Sequence, residues 1–273
     1  MSVPSALDHQ VTGYSLAHAY WMARAARLAY ENPAEVERQA RDWGFDRVRH
    51  HESLFEPPFA LEDTQAYTMA SDRMIVTAFR GTEPALIRDW LSDAATPPWP
   101  GPARTGYMHY GFAEALDSVY PGVRETVAGF RDGGQTVWFT GHSLGGALAM
   151  LAGCRMYLEE PRLRADGVYT YGQPRACDRV LAAAVNKGFK DRLFRFVNND
   201  DVVPLLPPEP AYAHTDALRW FDAKGTLHTS MPRLAGAADR LRGAVADPVA
   251  LPSGGVRDHF IDAYVTVLER SLQ

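Results

Sequence analysis

The stretch that most narrows the possible folds is QTVWFTGHSLGGALAMLAG, residues 135–153. Its opening, Gln135 to Thr140, is β-branched and aromatic and predicts a strand. From Gly145 to Glu160 the chain is rich in Ala, Leu and Met, which predicts a helix. A turn this tight holds Ser143 in sparsely populated backbone angles, and Gly141 and Gly145 remove side chains that would collide where strand and helix pack. The Ser143 hydroxyl then projects above the sheet at a helix N-terminus, whose dipole favours a developing anion. A Gly-x-Ser-x-Gly pattern also arises by chance, and a serine can simply cap a β–α turn. A nucleophile therefore needs a base, an orienting acid and donors for negative charge elsewhere in the chain.

The flanking sequence sets the fold class. Residues 14–30 predict a helix, and NPAEVERQARDWGF predicts a second, capped by Asn32, started by Pro33 and stopped by Gly44. TQAYTMA and RMIVTAFR, joined by Ser71-Asp72, predict a hairpin. Helical and strand patterns then alternate. HYGFAEALDSVYPGVRETVAGF is expected to be helical with a break at Pro121-Gly122, GVYTYG a strand, CDRVLAAAVNKGF a helix and RLFRFVN a strand. ALRWFDAKGTLHTS predicts a hairpin turning at Lys224-Gly225, and HFIDAYVTVLERSL a closing helix. This alternation implies an α/β protein, with a mostly parallel sheet covered on both faces and ligands beyond the carboxyl ends of its strands. No repeat or linker divides the 273 residues, so one domain over 1–273 is expected.

Net charge of −5 gives no reason to expect nucleic acid as a partner. No stretch of 18 uncharged apolar residues is present to span a bilayer. The segment MSVPSALDHQVTGYS lacks a basic region followed by an apolar run, so no secretory signal and a cytoplasmic location are expected. Cys154 and Cys177, the two cysteines, are expected to be reduced.

The partners of Ser143 must sit at strand ends. One oxyanion donor is expected from the Leu144 backbone N–H, directly after the serine, and a second from Thr82, where the strand before Arg80-Gly81 stops. Asp200 and Asp201 follow a strand and come after the serine; either carboxylate could orient an imidazole, and paired acids are also common in solvated turns. The base must follow the acid, leaving His214, His228 and His259. His259 follows PSGGVRD and opens a helix anchored by Phe260, Ile261, Tyr264, Val265 and Leu268 at helical spacing, which makes it the better candidate.

These blocks, in this order across roughly residues 67–264, resemble the class 3 lipases. AFRGTE is similar to the family's strand and oxyanion turn, DWLSDA to its lid segment and MHYGF to its V-H-x-G-F block. TGHSLGGALA matches its serine elbow, TYGQPRACD its F-G-x-P-R strand end, NNDDVVPLLPP its D-x-V-P-x-L-P block and HFIDAY its terminal H-x-x-x-x-Y. The resemblance implies an α/β-hydrolase fold with a short helical lid over about 83–100. It selects Asp201 and His259 as the partners of Ser143, and Thr82 and Leu144 as the oxyanion donors. Leu86, Trp90 and Leu91 would form the apolar face of the lid.

The implied reaction is hydrolysis of carboxylic esters, foremost acylglycerols, through an acyl-enzyme. It needs no metal or cofactor. The partner is a lipid or small ester, met at a lipid–water interface. A phospholipase A1 or short-chain carboxylesterase on the same scaffold is the near alternative. A non-catalytic protein binding a hydrophobic ligand is a distant one, because it predicts a lost member among Ser143, Asp201 and His259. The sequence carries no signal for the oligomeric state.

Overall fold

Side-chain caps start the first two helices. The Ser15 hydroxyl accepts the His18 backbone N–H to open α1 (Leu16–Leu28), and Asn32 accepts the Glu35 N–H to open α2 (Pro33–Asp42), with Pro33 at its first position. Gly44 follows α2 with φ +89° and turns the chain into the sheet. The computed structural model describes residues 6–53, 65–82, 98–231 and 253–273.

The remaining elements alternate. They are β1 (Arg47–Glu52), β2 (Gln65–Ala70), β3 (Met74–Phe79), the short β4 (Trp99–Pro100) and β5 (Tyr107–Met108), and α3 (Tyr110–Phe130). There follow β6 (Thr136–His142), α4 (Leu144–Glu159), β7 (Gly167–Tyr171), α5 (Arg179–Phe189), β8 (Leu193–Asn198), β9 (Leu218–Phe221), β10 (Leu227–His228), α6 (Ser253–His259) and α7 (Ile261–Ser271). Among the described residues the main sheet has the order β1-β2-β3-β6-β7-β8-β9-β10. β3, β6, β7, β8 and β9 pair in parallel, and the outer pairs β1/β2, β2/β3 and β9/β10 are antiparallel.

Side chains leave each strand alternately to the two faces, so each face builds its own core. Ile75, Val137, Phe139 and Val168 pack with Phe112 and Leu116 of α3, Leu148 and Leu151 of α4, and Leu181 and Val185 of α5. On the opposite face Val76, Trp138, Tyr169 and Phe196 pack with Trp21 and Met22 of α1, Val36 of α2, and Tyr264 and Leu268 of α7. Central strands buried on both faces are what a parallel sheet under two helical layers requires. The architecture is a mostly parallel α/β sheet of the α/β-hydrolase type, and both expected hairpins are present, the second with Gly225 at φ +79° in its turn.

Two local expectations are corrected, and one strand is added that the sequence pattern did not mark. Pro121 does not break its helix: α3 runs unbroken from Tyr110 to Phe130, because Leu116, Val119, Tyr120, Val123 and Val127 bury both halves against the sheet. That packing outweighs the hydrogen bond a proline cannot donate. The polar run RVRHHE forms edge strand β1, where one partner strand suffices and most side chains need not be buried. Nor does His259 open the last helix from a loop. It ends the short helix α6, and Phe260 separates it from α7.

Candidate active site

The carboxyl ends of β3, β6, β7 and β8 converge on one spot. At the end of β6 the backbone turns through Ser143 at φ 57°, ψ −125°, and α4 begins at the next residue. The Ser143 N–H is held by the Tyr171 carbonyl at 2.9 Å, which ties the elbow to β7. The close approach of strand and helix is literal: a β-carbon on Gly141 would lie 2.1 Å from the Gly145 carbonyl oxygen, and one on Gly145 would lie 2.1 Å from that of Phe79.

The Ser143 hydroxyl lies 3.0 Å from His259 Nε2, and His259 Nδ1 lies 3.0 Å from each carboxylate oxygen of Asp201. A carboxylate only accepts, so Nδ1 carries the imidazole proton and Nε2 is the acceptor facing the serine. All three residues are buried, Ser143 at 0% exposure. Such a line can draw the serine proton onto the imidazole and hold the resulting cation against a carboxylate.

Each member is braced. Asp201 Oδ1 accepts the Val203 N–H at 3.0 Å, and Oδ2 accepts the Tyr264 hydroxyl at 2.5 Å. The Tyr264 oxygen in turn accepts the Asn198 N–H at 3.0 Å. Burial and the Asp201 charge push the Tyr264 pKa well above its ordinary value, so it stays protonated as a donor. Asp258, beside the histidine, stitches its segment to the end of β8: its carboxylate accepts from Asn199 Nδ2 at 2.8 Å, and its carbonyl from Asn198 Nδ2 at 3.0 Å.

The geometry separates the residues that residue pattern alone left equivalent. Asp200 is exposed while Asp201 is buried against His259. His214 donates through Nε2 to the Pro204 carbonyl, and His228 pairs with Asp222 at 3.0 Å, so neither reaches Ser143. Leu144 is the first residue of α4, and the leading N–H groups of a helix have no intrahelical acceptor. Thr82 is half-buried directly after Gly81, where a β-carbon would lie 3.4 Å from Ser143 Cβ; the turn thus abuts the elbow. Leu86, Trp90 and Leu91 lie outside the described residues. Cys154 and Cys177 are both free and buried. No helix among the described residues is long and apolar enough to cross a membrane.

Sequence reasoning missed three residues. Tyr264 was visible only as a periodic apolar position, although it is the tyrosine of the HFIDAY block. Gly172, which follows β7, and His142, next to the serine, carried no separate signal.

Comparison with known proteins places this geometry. Residues 76–211, which include Thr82, Ser143 and Asp201, match the family model described as Lipase (class 3). A lipase from Rhizomucor miehei is 38% identical, over 54% of this chain and 42% of that protein. A triacylglycerol lipase from Arabidopsis thaliana is 29% identical, over 73% of this chain and 48% of that protein. The chain thus spans about half the length of the curated relatives it matches. The solved structure of lipase II from Rhizopus niveus superposes with a TM-score of 0.65 at 26% identity, covering 91% of this chain and 96% of that one. With the elbow at Ser143 inside the matched region, the chain belongs to the class 3 lipase family.

Proposed function

We propose that this chain hydrolyses the carboxylic esters of acylglycerols, with Ser143 as nucleophile, His259 as general base and acid, and Asp201 as the carboxylate that orients it. The carrying observation is the continuous line from Asp201 through His259 to a serine hydroxyl at the N-terminus of α4. His259 Nε2 takes the serine proton as Oγ attacks the ester carbonyl. The negative oxygen rests on the N–H groups of Leu144 and Thr82, each such donor contributing about 10²–10³ in rate. The imidazolium then protonates the departing alcohol. Water, deprotonated by the same nitrogen, releases the fatty acid from the acyl-serine.

The names of the relatives support the substrate class, since both a triacylglycerol lipase and secreted mono- and diacylglycerol lipases match this chain. Leu86, Trp90 and Leu91 are proposed as the apolar face of a lid that meets the acyl chain or a lipid surface. The test is hydrolysis of emulsified triglycerides, phospholipids and soluble p-nitrophenyl esters by the native chain and by Ser143→Ala. Turnover of triglyceride that vanishes in the alanine variant is expected, and turnover retained in that variant would end the proposal. Trp90→Asp should weaken hydrolysis of emulsified triglyceride more than that of soluble esters.

A further inference from the structure

The proposed reaction needs three parts in register: the elbow carrying Ser143, the segment carrying His259 and the turn at Gly81–Thr82. His142 and Tyr30 together touch all three. His142 is buried, and its ring lies against that of His259, with centroids 4.7 Å apart and planes inclined by 38°. Its Nε2 is 2.6 Å from the backbone carbonyl oxygen of His259, and its Nδ1 is 2.8 Å from the Tyr30 hydroxyl.

The proton positions follow from chemistry. A carbonyl oxygen only accepts, so Nε2 must carry a hydrogen. Burial first, and the nearby His259 second, hold the His142 pKa well below its ordinary value, so the ring is neutral and has one proton to place. Nδ1 is therefore bare, and the Tyr30 hydroxyl donates to it. The Tyr30 oxygen also occupies the space a side chain at residue 81 would need: a β-carbon on Gly81 would lie 2.2 Å from it and 2.6 Å from the His142 carbonyl oxygen.

We infer that Tyr30 and His142 are positioning residues, a strut running from the end of α1 through the elbow to the His259 carbonyl, which holds the imidazole and the Gly81–Thr82 turn in register with Ser143. This rests on the proposed ester hydrolysis. Neither side chain is a member of the Ser143–His259–Asp201 line, so the strut acts through the placement of His259. A displacement of 1 Å in such a group costs about 10²-fold in rate. The loss belongs in kcat, because the strut fixes the base and the oxyanion turn.

The experiment compares His142→Phe, His142→Gln and Tyr30→Phe on a soluble p-nitrophenyl ester, with active sites counted by a fluorophosphonate that labels Ser143. Phenylalanine keeps the ring volume and removes both hydrogen bonds; glutamine restores an uncharged donor and acceptor. His142→Phe is expected to lower kcat about 10–100-fold with KM within about twofold, and glutamine to recover most of the loss. Tyr30→Phe, which removes one hydrogen bond, is expected to lower kcat about 3–10-fold.

Wild-type kcat per labelled site in His142→Phe, or equal losses in the phenylalanine and glutamine variants, would overturn the strut. Should His142→Phe fail to fold, NMR of isotope-labelled histidine in the wild-type chain decides. The Nε2–H tautomer of His142 supports the strut, and the Nδ1–H tautomer overturns it. A wild-type chain that neither takes the label nor cleaves esters instead refutes the proposed hydrolysis.

Discussion

Gly172 meets the His259–Asp201 pair with backbone alone: a β-carbon on it would lie 2.8 Å from His259 Nδ1 and 2.8 Å from Asp201 Oδ2. Its φ of +59° is also left-handed, so two independent constraints ask for glycine immediately after β7. Replacing it with alanine puts a methyl group where acid and imidazole join. We expect Gly172→Ala to lower kcat by about 10²-fold or more through separation of that pair. The left-handed angle itself costs the fold only about 1–2 kcal/mol. Circular dichroism and turnover per labelled serine check this, and a folded alanine variant with full turnover would count against the assigned roles of Asp201 and His259.

Tyr264 makes a complementary case. Its hydroxyl bridges the Asn198 N–H and Asp201 Oδ2 inside the protein, so Tyr264→Phe leaves a buried donor and a buried carboxylate oxygen each short of a partner. That should destabilise the fold by about 1–3 kcal/mol. Asp201 retains the Val203 N–H and the His259 ring, so activity should fall without vanishing, by about tenfold in kcat. Thermal unfolding and steady-state kinetics on the same sample measure the two effects. An unchanged melting temperature would contradict the bridging role.

These residues also show where sequence stops being informative. The elbow was legible because a strand, a tight turn and a helix lie within one short stretch, and both periodicities can be read locally. Asp200 and Asp201 were separable only through the family resemblance and not by residue pattern, because which one is buried depends on the turn after β8, where Asn199 takes φ +43°. His259 stood out by its place before a patterned helix, but the Asp258 contacts that seat it join segments 59 and 60 residues apart. Tyr264 sat within a helical stripe, and nothing in that stripe announces a hydroxyl partner 63 residues away. The contact of His142 with the His259 carbonyl, 117 residues on, is invisible to any local pattern. Strand β1 and the unbroken α3 escaped notice for one shared reason: tertiary packing overrode a polar composition in one and a proline in the other.

Strain at the elbow can be weighed separately from chemistry. Ser143 sits at φ 57°, ψ −125°, a region costing a side-chain-bearing residue on the order of 1–3 kcal/mol. Ser143→Ala and Ser143→Gly both delete the hydroxyl and its contact with His259, but only glycine removes the β-carbon. The flexible unfolded chain offsets about 0.4–1 kcal/mol of glycine's gain. Both variants should be inactive, and the glycine variant should unfold at higher urea than the alanine variant. The reverse order would mean that the elbow stores no strain.

Acid stability is set by histidines kept neutral inside the fold. Burial lowers the pKa of His18 to about 3, with Asp8 opposing, and that of His51 to about 4; His142 and His214 are also held well below the ordinary value. In the unfolded chain the same groups take up protons near pH 6.5, so below that pH the unfolded state binds more protons than the folded one. Stability is thus fully present above about pH 6.5 and is lost as pH falls toward 4 and then 3, by on the order of several kcal/mol. His18 is the sharpest test. Both its ring nitrogens are buried without a hydrogen-bond partner among the described residues, and its ring stands edge-on to Trp138 at 4.3 Å and to Tyr169 at 5.1 Å. Phenylalanine fits that aromatic surround and cannot take a proton. Urea unfolding across pH 4–7 should therefore show His18→Phe with a shallower acid limb than wild type, by up to about one proton. Identical slopes in the two chains would show that His18 is not held neutral by its surroundings.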